Sequence, residues 1–158
     1  MSICKIDVWG KTMLKHYLSF LVVSLWIFCI GCSSETTTNT EQLQVTTTTG
    51  MIADIVKQVG GKHVEVTALM GPGVDPHLYK ASAGDINKLE QADIIFYNGL
   101  YLEGKMTDIL QQIAKKKTVI AVAEQIDKKK LIATGANQYD PHIWFDVRLW
   151  MEAVKQVE

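Results

Sequence analysis

The feature that most constrains this chain is an alternation of two hydrophobic periods. Four short runs rich in β-branched or apolar residues, LQVTTTT (43–49), HVEVTALM (63–70), ADIIFYNG (92–99) and TVIAVAE (118–124), have the length and composition of strands. Between them, apolar residues recur at helical spacing: Ile52, Ile55, Val56 and Val59, then Ile86 and Leu89, then Leu102, Met106, Ile109, Leu110 and Ile113. Gly60-Gly61 stops the first helix and Ser82 caps the second. A loop of about twenty residues follows the fourth strand. Asp146 caps a last helix with the stripe Val147, Trp150, Met151, Val154. A β-α-β-α-β-α-β order predicts an α/β fold: a mostly parallel four-stranded sheet flanked by helices on both faces. Ligands of such sheets bind beyond the carboxyl ends of the strands.

Two loops at that end carry the same tripeptide. Asp75-Pro76-His77 follows the second strand and Asp140-Pro141-His142 follows the fourth, 65 residues later. Proline fixes its own φ and forces the preceding residue to be extended. Each imidazole therefore leaves its loop at a defined angle, as a metal ligand on a loop requires. His77 and His142 are the candidate metal ligands. Asp75 and Asp140 are candidate outer partners that accept hydrogen bonds from backbone or ring N–H groups. His63 begins a strand without such a turn and reads as a surface residue. A tetrahedral zinc ion takes four donors. Asp75, Asp140, Asp146 and Glu103 are the carboxylates within reach of the argument, and no spacing singles one out.

Cysteine usage narrows the donor chemistry. All three cysteines, Cys4, Cys29 and Cys32, lie in the first 32 residues, so a metal in the folded part must use nitrogen and oxygen. The charge is −1 and Arg148 is the only arginine. No basic stripe stands out, so nucleic acid is not an expected partner. The lysines at 115–117 and 128–130 read as solvated helix or loop ends.

The N-terminus reads as an address. Lys11, Lys15 and His16 precede an apolar run from Tyr17 to Ile30. That run is short for a transmembrane helix, which needs about 20 residues, and suits a signal-peptide core. Cys29-Ile30-Gly31-Cys32 after it resembles a bacterial lipoprotein signal, in which Cys32 is lipidated and becomes the first mature residue. Cys29 stands where that pattern usually has leucine. The expected organisation is a signal peptide over 1–31, a flexible threonine-rich tether over 32–43, a metal-binding lobe over 44–145 and the start of a further helix over 146–158.

The segments GVDPHLYKAS and DPHIWFD, with their flanking strand and helix patterns over 44–158, resemble the metal-receptor family of substrate-binding lipoproteins that feed ABC importers of zinc and manganese. The resemblance implies one lobe of a two-lobe substrate-binding protein, joined to its partner lobe by a long helix. It implies that His77 and His142 are the first two ligands of a zinc or manganese cargo, and that a His or Glu and an Asp of the second lobe complete the set. Glu158 then falls near that connecting helix, and the chain is expected to be a truncated receptor with only the N-terminal lobe. The implied partners are an importer permease and, through Cys32, the outer face of the bacterial cell membrane or the periplasm. A monomer is expected. Two other readings are a membrane-anchored metal-dependent hydrolase and a surface adhesin in which metal only stabilises the fold. Against the hydrolase, the chain has no H-E-x-x-H helix.

Overall fold

The structure is a computed structural model and describes residues 42–158. The chain forms β1 (Leu43–Thr47), α1 (Gly50–Gly60), β2 (Val64–Ala68), α2 (Ala83–Gln91), β3 (Ile94–Tyr97), α3 (Thr107–Ile113), β4 (Thr118–Ala121), β5 (Ala133–Gly135), β6 (Gln138–Tyr139) and α4 (Val147–Val154). The first four strands make one sheet in the order β2-β1-β3-β4. All three pairings are parallel, with Val45 opposite Val66 and Ile94, and Phe96 opposite Ile120. The α/β sandwich read from the alternating periods is therefore the fold.

The order of the strands decides where each helix goes. The chain steps from β1 outward to β2, then back across β1 to β3 and on to β4. A right-handed crossover places its helix on a face set by the direction of the step. The reversal after β2 accordingly puts α1 on one face and α2 and α3 on the other, and α4 packs on the α1 face. The core divides the same way. Val45 and Phe96 pack with Ile52, Val56, Ile143 and Ala153, whereas Ile95 packs with Leu89, Met106 and Leu110. The direction changes between β1 and β3, and at such a switch point the loops beyond the two strands part and leave a crevice.

Local chemistry explains the helix boundaries. Thr49 caps α1, and Gly61, at φ 52°, ends it. Ser82 and Asp85 form a reciprocal capping box at the start of α2. Asp146 accepts from the Arg148 amide and caps α4.

Three expectations need correction. The third helix, read from Leu102, begins only at Thr107. Leu100 and Tyr101 take φ values of 51° and 63°, which no helix tolerates, and residues 100–106 form turns. Leu102 and Met106 are still fully buried, so their spacing reported burial and not helix. The loop before His142 contains the antiparallel pair β5–β6, turned at Asn137 with φ 57°. Finally, α4 packs Leu149, Trp150 and Ala153 inward, while Val147 and Met151 of the predicted stripe are exposed.

Candidate metal centre

His77 and His142 leave from the loops beyond the two edge strands of the sheet, yet their rings meet. The Nε2 atoms lie 3.2 Å apart and the ring centroids 5.3 Å apart. Two nitrogens bound about 2.0–2.1 Å from one tetrahedral ion lie about 3.3–3.4 Å from each other. The observed separation is thus close to that of two imidazoles sharing a cation.

The same local device builds both turns. Asp75 Oδ1 accepts from the His77 amide at 2.9 Å, and Asp140 Oδ1 accepts from the His142 amide at 3.0 Å. With the intervening proline, each forms a rigid Asx turn. Asp140 does more: its Oδ1 also lies 2.6 Å from His142 Nδ1. A carboxylate at that nitrogen takes the Nδ1–H, which leaves the Nε2 lone pair directed outward, as metal binding needs. The backbone amide of His142, then its ring, holds the Asp140 carboxyl below its ordinary range. It is therefore ionised at neutral pH and suited to that role.

Longer-range ties fix both loops. Tyr79, two residues after His77, donates its hydroxyl to Asp85 Oδ2 at 2.8 Å and so docks the first loop on the start of α2. Burial, and then the bond and charge of Asp85, push the Tyr79 phenol up to about 12. Asn98 Nδ2 donates to the Pro141 carbonyl at 3.0 Å, and Ile143 is buried behind the second loop. The Trp144 and His142 rings pack in a T shape with centroids 5.2 Å apart. None of these ties is visible as a spacing in the sequence; only the Ser82-x-x-Asp85 half of the Tyr79 contact is legible, as a cap.

The other candidate carboxylates are employed elsewhere. Glu103 is buried beneath the loops and accepts from Thr48, Asn98 and Gly99. Asp146 gives both oxygens to Arg148. His63 is exposed in the turn before β2. Among the described residues no third His, Cys, Asp or Glu joins the pair in a metal-binding group. What the arrangement offers a divalent cation is two imidazole nitrogens close together on an open face. Cys32 and the segment read as a signal peptide lie outside the described residues. No helix among the described residues is long and apolar enough to cross a membrane.

Comparison with known proteins places the chain in a family. The family model described as zinc-uptake complex component A, periplasmic, matches residues 45–158. The manganese-binding lipoprotein MntA of Bacillus subtilis is 55% identical over 131 residues, covering 81% of this chain and 43% of the relative. The zinc-binding protein TroA of Treponema pallidum is 49% identical over 113 residues, covering 72% and 37%. The solved structure of that periplasmic zinc-binding protein superposes with a TM-score of 0.71 at 47% identity, over 73% of this chain and 42% of the other. The chain spans less than half the length of these relatives. With its parallel sheet, its paired Asp-Pro-His loops and these matches, the chain belongs to the ZnuA family of metal-binding substrate-binding proteins.

Proposed function

We propose that this chain is the N-terminal lobe of an extracytoplasmic receptor that captures a divalent transition metal, zinc or manganese, and delivers it to the permease of an ABC importer. His77 and His142 are the first two ligands. Asp140 orients His142 through its ring, and Asp75 shapes the turn under His77. The lobe runs from Leu43, the first residue of β1, to residue 145, and α4 leads toward a second lobe, which supplies the remaining donors. Residues 1–31 are a signal peptide, Cys32 carries the lipid anchor and the tether ends before Leu43, which the sheet already holds. The observation that carries the reading is the 3.2 Å approach of two Nε2 atoms from loops 65 residues apart. Relatives named for manganese and zinc support the cargo class. Imidazole suits zinc, and added carboxylates shift preference to manganese, so the second lobe sets the choice.

A receptor binds without turnover. The carboxylates that would join the two histidines around a hydrolase's zinc, Glu103 and Asp146, are engaged in internal hydrogen bonds, which favours capture over catalysis. Calorimetry with zinc and with manganese tests the site. Heat of binding in the parent chain and its loss in His77→Ala and His142→Ala is the expected result. Equal heats in all three proteins remove the ligand assignment.

A further inference from the structure

Glu103 is a carboxylate with 2% exposure that the capture reading leaves without a task. Burying a carboxylate costs several kcal/mol unless its oxygens are well bonded, and an apolar residue would fill the same space without that cost. Its oxygens are bonded in a specific way. Oε1 accepts from Thr48 Oγ1 at 2.7 Å and from the Asn98 amide at 2.8 Å, and Oε2 accepts from the Gly99 amide at 3.1 Å. Thr48 and Asn98 are the residues immediately beyond β1 and β3, the two strands that flank the switch point. Glu103 therefore plugs the crevice beneath the histidine loops.

Each of its partners leads on to one loop. The Thr48 carbonyl accepts from the Met70 amide at 2.9 Å, at the root of the loop that carries His77. The Asn98 side chain donates to the carbonyl of Pro141 at 3.0 Å, the peptide bond that begins His142. One carboxylate thus anchors both loop roots, which the chain itself connects only through the intervening strands and helices.

We infer that Glu103 is a positioning residue: through Thr48 and Asn98 it sets the separation of the two imidazoles and so the affinity and geometry with which they take a metal. It touches no metal itself. The inference rests on the capture reading above, and its test separates the two.

The full chain is prepared as Glu103→Gln, as Asn98→Ala and as Leu110→Ala. The last is a buried-core control on the α2–α3 face: Leu110 shares a cluster with Met70, but its truncation removes only apolar packing and leaves the hydrogen bonds of Glu103, Thr48 and Asn98 in place. Zinc affinity is measured by chelator competition, the coordination geometry by the visible absorption spectrum of the cobalt(II) form, and stability by thermal melting. Loss of a residue that orients metal ligands weakens binding about 10–100-fold. Glu103→Gln and Asn98→Ala are expected to lose at least about 10-fold and to shift the cobalt bands. Leu110→Ala is expected to melt lower with affinity and bands unchanged. Unaltered affinity and spectrum in folded Glu103→Gln would overturn the inference, and so would equal changes in Leu110→Ala. If Glu103→Gln does not fold, Asn98→Ala decides alone, because it cuts the tie to Pro141 and keeps the carboxylate. His77→Ala and His142→Ala run beside these variants: parental affinity in both overturns the capture reading as well, whereas their loss with an intact Glu103→Gln overturns this inference alone.

Discussion

Asp75 and Asp140 open the same tripeptide but do different work. Each accepts its histidine's amide, and only Asp140 also holds the ring. Asp140→Ala is expected to weaken metal binding about 10–100-fold, and Asp75→Ala clearly less, in chelator-competition titrations. Equal losses would assign the effect to the Asx turn and not to the ring contact. Asp85 offers a test through pH. Burial pushes its carboxyl up, but hydrogen bonds from Ser82, Tyr79 and Lys88 outweigh that and hold its pKa at about 2. An aspartate in the unfolded chain titrates near about 3.9. The folded value is depressed, so this stabilisation is complete above about pH 4 and disappears as pH falls through about 2. The difference amounts to about 2 kcal/mol. Urea melts at neutral and acid pH should show Asp85→Ala costing stability at pH 7 and little at pH 2.

At the scale of elements, the turn after β3 is the most constrained. Gly99 has a φ of 83°, and a Cβ there would lie 3.0 Å from both the Ala121 Cβ and the Glu124 Cγ. Leu100 and Tyr101 continue the left-handed path, and the Leu100 amide is held by Glu124 Oε1. Gly99→Ala is expected to cost about 1–3 kcal/mol in denaturant melts, since it adds a clash to a backbone that disfavours any side chain. A neutral result would mean that the turn relaxes freely. The start of α3 was illegible for the same reason. Leu102 and Met106 keep helical spacing, but the backbone before Thr107 is committed to turning around Glu103. By contrast α1 and α2 carry their own punctuation in Thr49, Gly61, Ser82 and Asp85, so their extents follow from local chemistry.

For the molecule as a whole, metal capture and stability are linked. A ligand that binds only the folded state at a hundred times its Kd adds about 2.7 kcal/mol. Zinc should therefore raise the melting temperature of the parent chain and leave that of the His77→Ala, His142→Ala double variant where it was. Large apolar side chains near the two histidines are exposed: Leu78 is 68% exposed, Phe145 82% and Tyr101 76%. Phe145 lies beside the His142 ring, with centroids 6.5 Å apart. Exposed large apolar side chains promote association, so Phe145→Ser should reduce light scattering at high concentration without lowering the melting temperature. The sequence by itself determined what depends on neighbours along the chain. Hydrophobic period set the strands and most helices, capping residues set two helix starts, and each Asp-Pro-His fixed the shape of its own turn. The tertiary structure alone decided what depends on strand order. The pattern in each segment is the same whichever strand lies beside it, so it does not say that loops from opposite edges of the sheet converge to bring Nε2 atoms within 3.2 Å. Nor does it say that, of four candidate carboxylates, one would grip an imidazole and another would be sealed beneath the site.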